Sequence, residues 1–242
     1  MALSLNKIYV ANFSIEEKIF LITDLKIVHK LLNVLRLTKG ALFIVFNDNK
    51  QQYIVEIIDH NHGSIKIKII NESNSMSISN TNVILAVAFP KGKRGDWLVE
   101  KATELGVNKI IVLRTDRSIM NPGQGRIEKW QKIAIQASEQ CGRTDIPKIE
   151  SGKLEDLNGI IMIAVTKGGI NIEESLIKID VQKKDLTLNF LVGPEGDWSK
   201  EEEKKLIHDG AIPVSLGKRI LRVETAAIVG MSIISLWINS EN

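Results

Sequence analysis

The sequence predicts an α/β protein, in which a mostly parallel sheet is covered by helices on both faces and a smaller strand-rich module precedes it. From residue 83 onward, short apolar runs alternate with helical segments, a rhythm typical of parallel strands joined by helical crossovers. Residues 1–70 instead contain several apolar or alternating runs and one helical segment. Between the two patterns, residues 71–82 are almost all polar and turn-forming, which indicates a linker.

The N-terminal module is predicted to consist of short strands around one helix. Its best strand candidates are 41–46, 53–58 and 65–69. The last of these alternates strictly between isoleucine and lysine, as a strand with one buried face does. A helix is predicted over 24–35, ended near Gly40. These elements suggest a small barrel, so we predict two domains, 1–72 and 73–242.

The second domain is predicted to alternate strands and helices along its whole length. Its predicted strands are 83–88, 109–113, 160–165, 186–192 and 212–216. Its predicted helices are 96–105, 127–141, 172–177, 199–208 and 225–238. Ser199 and Glu202 have the spacing of a capping box, which favours a helix beginning there.

Composition narrows the class of protein. The net charge of +3 lies entirely in residues 1–70, which hold 9 Lys and Arg against 6 Asp and Glu. This excess is weak support for an RNA-facing module, and an ordinary solvated surface is the alternative.

One cysteine, Cys141, excludes an internal disulfide and a multi-cysteine metal site. No secretory signal is recognisable, and the apolar stretch 226–238 is shorter than the roughly 20 residues of a membrane span, so we expect a buried helix and a cytoplasmic protein.

Two loops in the C-terminal half are the candidates for chemistry. Residues 193–196, Gly-Pro-Glu-Gly, follow one predicted strand, and residues 216–226, Leu-Gly-Lys-Arg-Ile-Leu-Arg-Val-Glu-Thr-Ala, follow the next. Ligands of open α/β sheets bind at the carboxyl ends of strands, so the loops are expected to form one cleft lined by backbone amides. A plain turn is the alternative for the glycine loop. Neither a dinucleotide fingerprint nor a P-loop is present.

The second loop concentrates charge between a buried strand and a buried helix, with Lys218, Arg219, Arg222 and Glu224. Glu224 can be explained as an anion at a helix N-terminus, where the dipole favours it. Arg222 is harder to explain in that way, because a cation there is unfavourable unless it is paired or contacts a ligand.

Several segments, in order along the chain, resemble one enzyme family, the 16S ribosomal RNA uridine-N3 methyltransferases of the SPOUT class. Besides the two loops, they are His29 with 34–37 and Gly40, the helix end 101–107, Arg117 with Ser118, the segment 138–143, and Pro147. The chain departs from the family pattern in two places. Asp197 stands where the family usually has a second glycine, and Asn6-Lys7-Ile8 stands where an arginine is frequent.

The resemblance implies a C-terminal SPOUT-type parallel sheet with a trefoil knot and a small N-terminal PUA-like β-barrel that binds RNA. It implies S-adenosyl-L-methionine as cofactor, 16S rRNA in the small ribosomal subunit as substrate, and a homodimer, with no metal and no membrane. The cofactor residues that it implies are Val165, Thr166, Gly193, Pro194, Glu195, Gly196, Leu216, Gly217, Ile220, Leu221 and Arg222.

Two further groups of residues are assigned as hypotheses. Arg222 is the candidate cation that stabilises a uridinate or orients the base, and Glu224 is the candidate base or the partner that fixes Arg222. The candidates for gripping RNA phosphates are Arg36, Lys91, Lys93, Arg94, Arg117 and Arg143. Two other functions stay open. One is a SPOUT ribose 2′-O-methyltransferase, and the other is an RNA-binding ribosome assembly factor that has lost catalysis through the presence of Asp197.

Overall fold

The computed structural model describes residues 5–11, 13, 18–73, 81–118, 122–180 and 185–240. Residue contacts divide the chain into two compact units. Unit 1 contains Met1–Ser77 and Ser138–Asp145, and unit 2 contains Ile78–Ala137 and Ile146–Asn242. The units differ from the predicted linear division chiefly in the return of Ser138–Asp145 to unit 1, which no local sequence pattern indicates.

Unit 1 is a five-stranded sheet with one helical segment. Its strands are β1 (Lys7–Tyr9), β2 (Ile19–Ile22), β3 (Leu42–Phe46), β4 (Gln52–His60) and β5 (Ile65–Glu72), in the order β1-β3-β4-β5-β2. Helix α1 (Leu25–His29) runs on into a π-helical turn, Lys30–Val34. The three predicted strands and the predicted helix are therefore all found. The middle of the predicted linker, 74–80, lies outside the described residues.

The alternating pattern of β5 produces the two faces that the sequence predicts. Ile65 and Ile67 are fully buried, whereas Lys66 and Lys68 are exposed. The buried isoleucines join Phe43, Val45 and Leu31 in one apolar core between the sheet and the helix. Burial of this kind is the main source of stability for a small sheet.

The returning segment, 138–145, makes polar contacts with the N-terminal part of unit 1. Glu139 accepts a hydrogen bond from the backbone N–H of Tyr9 (3.0 Å) and forms an ion pair with Lys30 (2.5 Å). The Lys7 ammonium donates to the carbonyl oxygen of Gly142 (2.6 Å), and its burial lowers its pKa. Unit 1 therefore depends on residues that lie far along the chain from its strands.

Unit 2 is a seven-stranded sheet in which every pairing is parallel. Its strands are β6 (Asn82–Val87), β7 (Lys109–Leu113), β8 (Lys148–Gly152), β9 (Ile160–Ala164), β10 (Ile170–Asn171), β11 (Thr187–Val192) and β12 (Ile212–Ser215), in the order β10-β12-β9-β11-β6-β7-β8. Its helices are α2 (Arg94–Glu104), α3 (Gln124–Cys141), α4 (Ile172–Leu176), α5 (Lys200–His208) and α6 (Val223–Ser240). The predicted α/β class with a parallel sheet is confirmed.

Helices cover both faces of this sheet, as predicted. On one face, buried residues of α2, α3, α4 and α6 pack with Leu85, Val87 and Phe190 of the central strands. On the other face, Leu206 of α5 packs with residues such as Ala86 and Leu191. Two strands were missed by the sequence patterns, β8 and β10. They are the edges of the sheet, where few apolar side chains are needed.

Helix α6 is long and apolar enough, by length and composition, to cross a membrane. Its buried positions include Ala227, Met231 and Ile234, which belong to the core of unit 2. At Gly230 the helix approaches β11 so closely that an added Cβ would lie 2.2 Å from the Phe190 ring. The burial of these positions in α6 is typical of a core helix in a globular unit.

Candidate active site

The carboxyl ends of three neighbouring parallel strands, β12, β9 and β11, open into one cavity of about 590 Å³ in unit 2. The volume falls in the range of ordinary small-molecule sites. The cavity is lined by Arg94, Ala164, Val165, Thr166, Val192, Gly193, Pro194, Glu195, Gly196, Asp197, Leu216, Gly217, Arg219, Ile220, Leu221, Arg222, Val223 and Ala226. Every residue predicted to bind the cofactor is among them.

The loop after β11 is fixed by the residues that follow it. Trp198 is buried, and its indole Nε1–H donates to the carbonyl oxygen of Ala164 at the end of β9 (3.1 Å). The ring lies so close to Gly193 that an added Cβ would be 2.9 Å from it. Arg117 donates from Nη1 to the carbonyl oxygen of Gly196 (2.9 Å). The loop therefore reaches the cavity as a rigid edge, and Gly193 is needed for packing.

Gly196 is a different kind of glycine. The nearest atom to a Cβ added there is Cδ of Arg117, at an ordinary contact distance of 3.6 Å. The residue also lines the cavity, and a Cβ at this position would make ordinary van der Waals contact with the Arg117 side chain. The fold therefore tolerates a Cβ at Gly196, at the edge of the cavity.

Asp197, which stands where the family pattern usually has a second glycine, has a left-handed backbone with φ of 60°. Aspartate tolerates this region better than most residues because its side chain can bond locally. Its Oδ1 accepts from the backbone N–H of Trp198 (3.0 Å), and its Oδ2 accepts from the Thr166 hydroxyl (2.7 Å). The carboxylate thus joins the loop after β11 to the end of β9 instead of obstructing the fold.

The loop between β12 and α6 forms the opposite, cationic wall. Arg219 and Arg222 are exposed and line the cavity, as does Ile220, whose side chain is 85% exposed. Among the residues that the structure describes, none forms an ion pair with either arginine. The backbone carbonyl of Arg222 accepts from Ala226 (2.8 Å), so the residue stands directly before the first turn of α6.

Glu224 lies in that first turn and is 7% exposed. Its Oε1 is 3.6 Å from Nη1 of Arg94, and Nη2 of Arg94 is 2.9 Å from Oε1 of Glu195. Within the described part of the chain, Oε2 of Glu224 has no hydrogen-bond partner. The cation beside Glu224 is therefore Arg94, whereas the sequence hypothesis offered Arg222.

Arg94 shows what sequence reasoning missed. It begins α2, directly after the turn that follows β6, and β6 pairs with β11 in the parallel sheet. That pairing brings Arg94 to the Glu195 loop although the two residues are 101 positions apart. The sequence showed a basic residue after a strand, but it did not show which strands are neighbours in the sheet.

The other RNA candidates occupy different settings. Lys91 and Lys93 are exposed beside Arg94, and Arg36 is exposed in unit 1 with φ of 54°. Arg143 forms a two-point ion pair with Asp145, with the two side chains only 11% and 10% exposed. Arg117 holds the loop after β11, as described above. No group of three or more His, Cys, Asp or Glu residues that could hold a metal occurs among the residues searched, which are the described ones.

Comparison with known proteins agrees with this architecture. Residues 77–235 match the family model of the RNA methyltransferase domain. The chain is 30% identical over 223 residues to ribosomal RNA small subunit methyltransferase E of Synechocystis sp., covering 88% of this chain and 71% of that protein. It is 27% identical to the Bacillus subtilis protein of the same name, with 86% of each chain covered.

A solved structure extends the likeness to nearly the whole chain. The crystal structure of a ribosomal RNA small subunit methyltransferase E from Neisseria gonorrhoeae, bound to S-adenosyl methionine, superposes with a TM-score of 0.85 at 26% identity. The match covers 96% of this chain and 97% of that one. From the matched domain, the shared length and the common fold, we conclude that the chain belongs to the ribosomal RNA small subunit methyltransferase E family.

Proposed function

We propose that this protein methylates N3 of a specific uridine in 16S ribosomal RNA, with S-adenosyl-L-methionine as methyl donor. The observation that carries the proposal is the single cavity at the ends of β9, β11 and β12, where the residues expected to hold the cofactor meet Arg222 and lie next to Glu224. Membership of the family and the cofactor-bound relative support the same activity.

The cavity suits this cofactor on chemical grounds. Val165, Leu221 and Val223 offer apolar surface for a purine ring, and Gly196 lines the cavity without a side chain. Charged side chains of both signs surround the remainder of the space, which fits a molecule that carries a carboxylate, an ammonium and a sulfonium. The sulfonium supplies an already activated methyl group, so the proposed chemistry requires no metal.

Residues of the protein are needed to activate the nucleophile, which is N3 of the uridine. Uridine N3 carries a proton and is a poor nucleophile until that proton leaves. Glu224, with one oxygen beside Arg94 and the other without a partner among the described residues, is the proposed acceptor of the proton. Arg222, exposed in the cavity wall, is the proposed cation that stabilises the negative charge left on the base.

Other features implied by the resemblance are part of the proposal. The five strands of unit 1 around α1 support a PUA-like barrel, and the cavity formed by the loops after β9, β11 and β12 supports a knotted SPOUT arrangement. The proposed RNA contacts remain Arg36, Lys91, Lys93, Arg94, Arg117 and Arg143.

We further propose a cytoplasmic homodimer without membrane association. Support for the dimer comes from large apolar side chains exposed on unit 2, namely Trp97 (44%), Ile177 (79%) and Leu236 (71%). They lie on or directly after α2, α4 and α6, and both α2 and α4 contact α6. Exposed apolar surface of this kind is typical of protein interfaces.

Calorimetric titration of S-adenosylmethionine into the wild type and Gly196→Val tests the site. We expect micromolar binding to the wild type and a loss of at least tenfold in the variant, because valine adds bulk at a residue that lines the cavity, while a Cβ there meets Arg117 only at ordinary contact distances. Gly123→Val, at a glycine with no neighbour within 4 Å and outside the cavity, is the control. Unchanged affinity in Gly196→Val would show that the cofactor lies elsewhere.

Nucleoside analysis of treated RNA then separates the candidate reactions. Small ribosomal subunits and protein-free 16S RNA are incubated with the protein and the cofactor, digested and analysed for methylated nucleosides. N3-methyluridine supports the proposal. A 2′-O-methylated nucleoside would indicate the ribose enzyme, and cofactor binding without any methylation would indicate the non-catalytic assembly factor.

A further inference from the structure

Asp197 lines the cavity, and no described cationic side chain forms an ion pair with its carboxylate. Both of its observed partners are neutral donors, the Thr166 hydroxyl at 2.7 Å and the Trp198 backbone N–H at 3.0 Å. The other acidic residue of the lining, Glu195, is paired with Arg94 at 2.9 Å. Asp197 is therefore the acidic group of the described lining that keeps an uncompensated negative charge.

The charges of the cavity are segregated between its walls. The unpaired arginines, Arg219 and Arg222, lie on the loop before α6, whereas Asp197 lies on the loop after β11. A ligand bound between the two loops would meet positive charge on one side and negative charge on the other. Such an arrangement complements a ligand that itself carries charges of both signs.

The backbone of Asp197 indicates that its carboxylate is held in a fixed position. A left-handed backbone with φ of 60° is unfavourable for most residues other than glycine, and aspartate tolerates it because its short side chain can form local hydrogen bonds. The two hydrogen bonds fix the side chain between the loop after β11 and the end of β9. A carboxylate so fixed loses little further freedom when a cation binds to it, which favours tight and selective binding.

From these observations we propose that Asp197 recognises a positively charged group of the cofactor and so makes the site selective for the charged nucleoside. The inference rests on the proposed function, because it concerns the same cavity. S-adenosylmethionine carries a sulfonium and an α-ammonium, S-adenosylhomocysteine keeps only the ammonium, and 5′-methylthioadenosine has neither. These three ligands therefore separate the two cationic groups from the shared nucleoside.

The experiment is calorimetric titration of the three ligands into the wild type, Asp197→Asn and Asp197→Gly. Asparagine tolerates the left-handed backbone and keeps an oxygen for the Trp198 N–H, but it removes the charge. Glycine removes the side chain and permits the same backbone. In both variants we expect S-adenosylmethionine to bind about tenfold more weakly, a typical effect for a hydrogen bond to a charged group, while the affinity for 5′-methylthioadenosine stays within twofold.

The result for S-adenosylhomocysteine identifies the group. Equal weakening of S-adenosylhomocysteine and S-adenosylmethionine assigns the contact to the ammonium, and weakening of S-adenosylmethionine alone assigns it to the sulfonium. Either pattern supports the proposal. It is overturned if Asp197→Asn binds all three ligands as the wild type does, or if all three weaken by the same factor, which would indicate a change in loop shape. A wild type that binds none of the three overturns the cofactor assignment itself, and with it this inference.

Discussion

At the scale of the residue, the surroundings of Glu224 give the clearest indication of the reaction that the site could carry out. A buried carboxylate normally has partners for both oxygens, because leaving one unsatisfied costs free energy. Here Arg94 faces one oxygen, and the other has no partner among the described residues. The oxygen without a partner is thus available to a ligand, which supports our proposal that Glu224 is the reacting base.

Replacement of Glu224 by glutamine keeps the shape of the side chain and removes its ability to accept a proton. We expect Glu224→Gln to lower the rate of methylation by about 100-fold or more, the contribution typical of a general base, with cofactor affinity within twofold of the wild type. Single-turnover kinetics and calorimetry give the two numbers. Glu174→Gln, at an exposed position on α4, is the control. A Glu224→Gln variant with wild-type rate would remove this residue from proton transfer.

Arg222 provides the second residue-scale prediction. Because its side chain is exposed and has no ion pair within the described part of the chain, Arg222→Ala is expected to leave the urea unfolding midpoint unchanged. Its rate of methylation should fall by about 100-fold or more, as for loss of a group that stabilises developing charge. Lys218→Ala, on the same loop but outside the cavity lining, should keep its activity. Equal losses in both variants would indicate general attraction for RNA.

At the scale of the element, the close approach of α6 to β11 bears on the loop that lines the candidate site, since α6 begins directly after Arg222. Gly230 permits this approach, and Phe190 beneath it is fully buried. A methyl group at 2.2 Å from that ring cannot be accommodated without moving the helix or the ring. The packing of this one pair therefore sets how the loop before α6 meets the sheet.

Gly230→Ala is accordingly expected to lower the free energy of unfolding by about 1–3 kcal/mol, as overpacking of a core does. Gly125→Ala is the matched control, because Gly125 also lies in an 18-residue helix, α3, but has no neighbour within 4 Å. That substitution should raise the free energy by about 0.4–1 kcal/mol through reduced freedom of the unfolded chain. Urea denaturation measures both, and a Gly230→Ala variant as stable as the wild type would mean that the helix shifts freely.

The sequence predicted the elements with strong local signals and missed those set by strand order. Ser199 and Glu202 form the capping box that their spacing predicted, and α5 begins at the next residue after Ser199. Trp130, which lies within the helix predicted over 127–141, is fully buried. By contrast, β8 buries little besides Ile149 and gave no apolar run. Arg94 lies at the site because β6 pairs with β11, and the hydrophobic periodicity of the sequence does not predict which strands pair.

At the scale of the whole molecule, stability depends on pH through a buried ion pair in unit 1. Burial alone would raise the pKa of the Asp145 carboxyl, but the hydrogen bonds and charge of Arg143 hold that pKa below its ordinary value of 3.8. A lowered pKa in the folded state means that the pair stabilises the protein fully above pH 3.8 and that this contribution is lost as the pH falls towards the folded-state value.

Arg143→Met removes the guanidinium from the buried Asp145 carboxylate, which is expected to cost about 3–5 kcal/mol at pH 7. The difference from the wild type should shrink as the pH is lowered towards 4, because the carboxyl that has lost the guanidinium then takes up a proton and becomes neutral. Urea denaturation of both proteins at pH 7, 5 and 4 measures the difference. Lys132→Met, at an exposed lysine, is the control, and a difference independent of pH would contradict the assignment to Asp145.

The return of Ser138–Asp145 to unit 1 has a consequence for biosynthesis. A nascent chain emerges from its N-terminus, and domains commonly fold in that order as they appear. Unit 1 cannot follow this rule to completion, because Lys7, Tyr9 and Lys30 bind groups that are translated only at Glu139 and Gly142. The contacts of Lys7, Tyr9 and Lys30 can therefore form only after most of α3 and its C-terminal end have left the ribosome, and a stop codon after residue 77 would release a unit that lacks these partners.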